Sequence, residues 1–265
     1  MKTHSKRVVV KIGTNVMTNK DNRIVVPILK RIVDQVARLY EEDIMTVIIS
    51  SGSVIAGKEV LDDNKIDNID NAAQRRQVYS AVGQPRMMRH YYSIFHDYGM
   101  RCAQVLATKR DFDFGRHRDN MINCYEGLLN QGIIPIANED DAVSLSMSMF
   151  SDNDELASLV AELIKADTLI LLTDTDGIFD GHPDHDDSNV IRSVSTDQEV
   201  EQFIQESDKK EGEGRGGMES KINVAKGAAS KDIVTYIANG KREDVILDIV
   251  HGKDVGTRIY KEEED

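Results

Sequence analysis

The sequence predicts an α/β protein built on a central, mostly parallel sheet with helices on both faces. Short apolar runs recur along it: "RVVVKIG" from Arg7, "MTVIIS" from Met45, "RCAQVLA" from Arg101, "IIPIAN" from Ile133, "TLILLT" from Thr168 and "IVTYIA" from Ile233. Helix-patterned stretches separate them, which is the alternation of βαβ units. The runs are nearly continuous in apolar residues rather than alternating, as expected of strands covered on both faces.

Between the first two runs, Ile28, Leu29, Ile32, Val33, Val36, Leu39 and Tyr40 recur at intervals of three and four, with Lys, Arg, Asp and Gln on the opposite face. That is a crossover helix with one side on the sheet. "SSGSVIAGKEV" after the second run opens into another helix. Arg116 to Asn130 and Asp154 to Lys165 read as helices, each leading directly into the next apolar run. Residues 197–217 are rich in charge and glycine and read as a mobile loop, after which a helix starts near Met218. Beyond "IVTYIA", both "DVILDIVHG" and "GTRIY" read as short strands. One domain is expected over residues 1–260, with a frayed acidic tail at 261–265.

Composition narrows the function classes. With 46 acidic against 33 basic side chains the formal charge is −13, which repels nucleic-acid backbones and anionic membranes. The start "MKTHSKRVVVKIG" lacks the apolar core of a signal peptide, and no apolar run approaches the ~20 residues that span a bilayer. A soluble, cytoplasmic protein is expected. Cys102 and Cys124 form no CxxC pair and read as ordinary thiols rather than as a disulfide framework or zinc site.

Candidate chemistry gathers where the apolar runs end, the edge at which open α/β sheets bind ligands. The first run delivers Lys11, Gly13 and Thr14: an ammonium beside a glycine that permits close approach of a phosphate, or a surface lysine beside a turn. Neither GxxxxGK[ST] nor GxGxxG is present. The second run delivers Ser50, Ser51, Gly52 and Gly57, which suit an anion at a helix N-terminus or a serine cap with tight glycine packing. After "IIPIAN", the residues Asn138, Asp141, Asp152, Asn153 and Asp154 flank a short connection. Asp152 or Asn153 can cap the following helix; the others suit a substrate bearing both ammonium and carboxylate. "GEGRGGMESK" joins a glycine-rich loop to a helix with Lys221 in its first turn, an anion-binding design.

Taken together and in order, "VVVKIGTNV", "ISSGSVIAG", "AVGQ", "NEDDAV", "FSDNDELASL", "LLTDTDGIFDGHP" and "GRGGMESKINVA" resemble the amino acid kinase family, most closely its glutamate 5-kinase group. The resemblance spans nearly the whole chain and implies a three-layer sandwich around the sheet. Arg215 stands where the group usually has threonine, and Asp140 where it often has asparagine. A short form is expected, without the C-terminal PUA module that many members carry.

The resemblance further implies ATP-dependent phosphorylation of the L-glutamate γ-carboxylate to glutamyl 5-phosphate, the first step of proline biosynthesis. In catalysis it assigns Lys11 and Lys221 to the transferring phosphoryl group and Asp154 to orienting them. Ser51, Gly52, Asn138, Asp141 and Asn153 would hold glutamate. Lys11, Gly13, Thr14, Thr173, Asp174, Arg215, Gly216, Gly217, Met218 and Lys221 would hold ATP. Mg²⁺ would be carried on the nucleotide phosphates, with no protein metal site. Proline as a feedback inhibitor, glutamyl phosphate reductase as a partner and a homo-oligomer (dimer or tetramer) are further expectations, with no nucleic-acid or membrane partner. The aspartates at 176, 180, 184, 186 and 187 receive no role. "DGHPDHDD" offers His and Asp as metal ligands but matches no closed zinc spacing, and a solvated loop is the favoured reading.

Overall fold

Strands β1 (Arg7–Ile12), β2 (Met45–Ser50), β3 (Arg101–Ala107), β4 (Ile133–Glu139), β5 (Thr168–Thr173), β6 (Ser193–Ser195), β7 (Val234–Asn239) and β8 (Thr257–Tyr260) form one sheet in the order β3-β4-β2-β1-β5-β7-β8-β6. The computed structural model describes residues 6–61, 69–144, 150–182, 185, 187–200 and 217–262. From β3 to β7 every neighbouring pair is parallel; β8 runs antiparallel to β7 and carries β6 alongside it. The predicted α/β class and mostly parallel sheet are therefore present, and the apolar runs fall on β1 to β5 and β7.

Helices α1 (Thr14–Met17), α2 (Val26–Glu41), α3 (Ser53–Val60), α4 (Ala72–Asp97), α5 (Arg116–Asn130), α6 (Asn153–Leu163), α7 (Met218–Ala229) and α8 (Val245–Val250) flank the sheet. The two-residue period of a strand sorts the core into two layers. Val8, Val10 and Ile12 of β1 pack with buried residues of α2, α4 and α8. Val9 faces the other way, with Leu156 and Val160 of α6 and Ile222 and Ala225 of α7. Lys11 follows the same alternation and so projects toward α6 and α7.

Glycines set the closest helix contact. A Cβ on Gly57 would lie 1.9 Å from the Tyr79 carbonyl oxygen, and one on Gly83 would lie 1.8 Å from that of Ser53. Gly57 thus joins α3 to α4 and is a packing residue, not part of an anion site.

One strand assignment is corrected. "DVILDIVHG" contains helix α8, with all six residues Val245–Val250 buried. A short, largely apolar run, here interrupted only by Asp248, cannot be told from a buried helical turn by periodicity. Here Gln35 Oε1 on α2 accepts from the Ile246 N–H at 2.8 Å, and Gly252 at φ +77° follows the helix. β6 lacks a strong apolar run and was not predicted. Most of the 197–217 loop, including Arg215 and Gly216, lies outside the described residues, as do Asp184 and Asp186.

Candidate active site

Strand register fixes the order of side chains along the carboxyl edge of the sheet. Ile49 pairs with Ala137, Ser50 with Ile12, Ile12 with Leu172, and Leu172 with Ala238. The edge therefore reads Asn138 (β4), Ser50 and Ser51 (β2), Lys11 and Gly13 (β1), and Thr173 and Asp174 (β5). Lys11 stands at the middle, with hydroxyl and amide groups on one side and the β5 end on the other.

The charged centre is Asp154. Its side chain is fully buried, with Lys11 Nζ 2.7 Å from Oδ1 and Lys221 Nζ 3.2 Å from Oδ2. Burial is the largest influence on this carboxyl and would push its pKa up. The combined attraction of Lys11 and Lys221 outweighs it and holds the group below the usual carboxylate range. Two ammonium groups share one carboxylate, so the cluster carries a net positive charge, suited to a polyphosphate. Lys11 comes from β1, and two helix starts bring Asp154 and Lys221 to it. Asp152 caps α6 by accepting from the Asp154 and Glu155 N–H groups, while Ser220 in the first turn of α7 donates to Asp152 Oδ2 at 2.6 Å. That contact places the α6 and α7 N-termini together and adds their dipoles to the positive field.

Gly13 follows β1 directly. Its N–H donates to the Leu172 carbonyl at 3.1 Å, so it offers no donor to a phosphate. A Cβ there would lie 3.0 Å from that oxygen and 3.7 Å from Lys11 Nζ, so glycine keeps the space beside the ammonium open. Gly52 caps α3 at φ +92°, a left-handed conformation, and a Cβ would lie 2.7 Å from Met17 Sδ. Thr14 opens α1, partly buried; its carbonyl accepts from Thr18 Oγ1. Thr173 donates to Asp174 Oδ1 at 3.3 Å, and Asn15 donates to Asp174 Oδ2 at the same distance. Gly217 and Met218 sit at the start of α7.

On the other side of Lys11 a polar chain runs through the predicted substrate residues. Asn153 Nδ2 donates to Ser51 Oγ and to Asn138 Oδ1, both at 2.9 Å. Asn138 Nδ2 donates to Gln84 Oε1 at 3.0 Å and reaches Ser53 Oγ at 3.4 Å. Ser80 donates its one hydroxyl proton to Asp141 Oδ2 at 3.3 Å, and its oxygen lies 3.2 Å from Ser53 Oγ, whose hydroxyl can donate to it. Arg76 closes the chain on Asp141 Oδ1. The predicted residues are thus connected, but sequence reading missed Ser53, Arg76, Ser80 and Gln84. Spacing of four along α4 puts Arg76, Ser80 and Gln84 on one face, a signal available in the sequence. Ser50 turns away, sharing a 2.8 Å hydrogen bond with Tyr91 in the core, where burial pushes the phenol pKa up.

The acidic stretch after β5 is tied down: Asp180 Oδ1 accepts from the Asn189 N–H, and Thr257 Oγ1 accepts from the Ile178 N–H. Among the described residues no group of three or more His, Cys, Asp or Glu is arranged to hold a metal, and no helix is long and apolar enough to cross a membrane.

Comparison with known proteins shows the family and the fold. The model of the amino acid kinase family matches residues 6–239. A glutamate 5-kinase of Bacteroides thetaiotaomicron is 39% identical over 255 residues, covering 96% of this chain and 69% of the relative. A glutamate 5-kinase of Clostridium perfringens is 35% identical over 263 residues, covering 96% of this chain and 94% of the relative. Among solved structures, a carbamate kinase from Giardia lamblia bound to AMP-PNP superposes with a TM-score of 0.70 at 16% identity, covering 97% of this chain and 99% of that one. At that identity the likeness concerns the fold.

Proposed function

The chain belongs to the amino acid kinase family, and from that premise we propose that it phosphorylates L-glutamate with ATP, yielding glutamyl 5-phosphate and ADP, as its glutamate 5-kinase relatives are named to do. The observation that carries the reading is the Lys11–Asp154–Lys221 cluster at the middle of the sheet edge, between the amide and hydroxyl chain and the end of β5. Glutamate then lies over β2 and β4, the nucleotide over β5 and the start of α7, and the phosphoryl group passes between them.

A γ-carboxylate is ionised at neutral pH and attacks phosphorus without a general base. The difficulty is electrostatic, because two anions must meet in line. Lys11 and Lys221 offset the charge on the transferred phosphoryl oxygens, and Asp154 fixes both ammonium groups before reaction, so little reorganisation is needed. Ser51 and Asn153 orient the acceptor. Both Asp154 oxygens face lysines, so the donor set fits Mg²⁺ held by phosphate and water rather than by a protein cage. When bound, Mg²⁺ would supply further neutralisation of the nucleotide phosphates. The proposal extends to a cytoplasmic homo-oligomer, to inhibition by proline beside the glutamate site, and to a glutamyl phosphate reductase that consumes the labile acyl phosphate.

The test is ADP release by purified protein with ATP and Mg²⁺, comparing L-glutamate with acetylglutamate, aspartate, and bicarbonate with ammonia. Glutamate-dependent release without RNA or a second protein is expected. Release with another acceptor and none with glutamate would overturn the reading.

A further inference from the structure

Arg76, at the far end of the polar chain from the lysines, approaches Asp141 in a manner that a simple counter-ion would not require. Its Nε and Nη2 both donate to one oxygen, Oδ1, at 3.1 and 2.8 Å, rather than forking across both carboxylate oxygens. Oδ2 accepts one long hydrogen bond from Ser80, at 3.3 Å. A carboxylate oxygen has room for more than one donor, and a guanidinium has five N–H groups. The pair therefore keeps an acceptor on the acid and a donor edge on the base. Their exposure differs in the same sense: the Asp141 side chain is 5% exposed and the Arg76 side chain 36%, so the guanidinium can meet an incoming anion without leaving the acid.

An ion pair with one acceptor and one donor edge in reserve is the complement of an amino acid zwitterion. We propose that Arg76 completes the head-group site: Asp141, already expected to hold glutamate, accepts from the α-ammonium, and Arg76 donates to the α-carboxylate. This rests on the reading of the site as one for L-glutamate. It also accounts for which carboxylate reacts. Glutamate carries two, and the polar chain through Ser80, Ser53, Asn138 and Asn153 separates Arg76 from the Asp154 cluster. With the α-carboxylate held at Arg76, only the γ-carboxylate extends toward Lys11 and Lys221.

The alternative is that Arg76 only holds Asp141 in place. Calorimetric binding of L-glutamate and 4-aminobutyrate, which keeps the amine and the reacting carboxylate but lacks the α-carboxylate, separates the two. Wild type should prefer glutamate by about 10- to 150-fold, the range carried by a charge-assisted hydrogen bond. Arg76→Gln should weaken glutamate by a similar factor and bring the preference to within a few-fold, leaving the KM for ATP unchanged. Arg76→Lys, which keeps the charge and loses the planar fork, should retain part of the preference, and it serves where Arg76→Gln does not fold. A positioning role would weaken both ligands together. If wild-type preference persists in a folded Arg76 variant, the proposal is overturned while the glutamate site stands. If wild type binds neither compound, the glutamate reading falls and this proposal with it.

Discussion

Replacing Asp154 by asparagine keeps the side-chain volume and removes the one negative charge between two buried ammonium groups, at 2.7 and 3.2 Å. Removing one partner of a buried ion pair costs about 3–5 kcal/mol. Lys11 and Lys221 are 6% and 7% exposed, so water offsets little of this. With about 2–4 °C of melting temperature per kcal/mol in a large domain, Asp154→Asn should melt roughly 6–20 °C lower. Its response to ATP should move the opposite way. The cluster changes from two positive and one negative charge to two positive alone, so a polyphosphate gains attraction and ATP should raise the melting temperature more than in wild type. Turnover should nevertheless fall by about 10²-fold or more, because the ammonium groups are no longer fixed where charge develops. Acid titration gives a further arm. The Asp154 pKa is lowered in the folded state, so its contribution is complete above the ordinary carboxylate range and is lost as pH falls through the lower folded value. The gap in melting temperature between wild type and variant should be flat from about pH 5 to 8 and narrow only below about pH 4. Differential scanning calorimetry and coupled ADP release measure all of this. A variant melting within about 2 °C of wild type, or turning over within a few-fold of it, would refute the placement of Asp154 as the fixed centre of the cluster.

Lys11→Ala and Lys221→Ala should each lower kcat by about 10²-fold or more, with a smaller change in glutamate KM, as read by steady-state kinetics. Gly83→Ala drives a Cβ to 1.8 Å from the Ser53 carbonyl oxygen and should lower the melting temperature by several degrees, whereas Gly127→Ala, with nothing within 4 Å on α5, should raise it slightly. At pH 8, iodoacetamide should label exposed Cys124 and spare Cys102, whose thiol burial pushes up to about 11, until the protein is unfolded; peptide mass spectrometry distinguishes the two.

The parallel sheet was legible because burial on both faces forces continuous apolar runs, and those runs occur in "VVVKI" and "TLILLT" as in few other contexts. The same rule misread "DVILDIVHG". A largely apolar run, broken here only by Asp248, reports burial, and whether strand or helix results depended here on Gln35, far away in sequence, receiving the Ile246 N–H. The candidate site divides in the same way. Lys11, Asp154 and Lys221 carry charge beside glycine-rich or acidic turns and stand out locally. Ser53, Ser80 and Gln84 are uncharged residues on helices, and Arg76 is one basic residue among several in "QRRQVYSAVGQPRMMR". Their role is set by which face of α4 meets α3, and that is fixed by Gly57 and Gly83 allowing backbone contact.

That close contact bears directly on the chemistry. Ser53 begins α3 and Ser80 lies on α4, and the 3.2 Å hydrogen bond between them can form only if the helices approach as closely as the two glycines permit. Ser53 then meets Asn138 and Ser80 meets Asp141, so the helix spacing sets where the head-group end of the chain lies relative to β4. At the other end, Asp152 binds Ser220 and Asp154 binds Lys221, so the approach of α7 to α6 sets where the second ammonium lies relative to β1. The acceptor side is positioned by packing of apolar and glycine surfaces, the phosphoryl side by charge and helix capping. Changes to packing at Gly83 should therefore appear first in glutamate binding, and changes at Asp152 in turnover, although neither residue needs to touch either substrate.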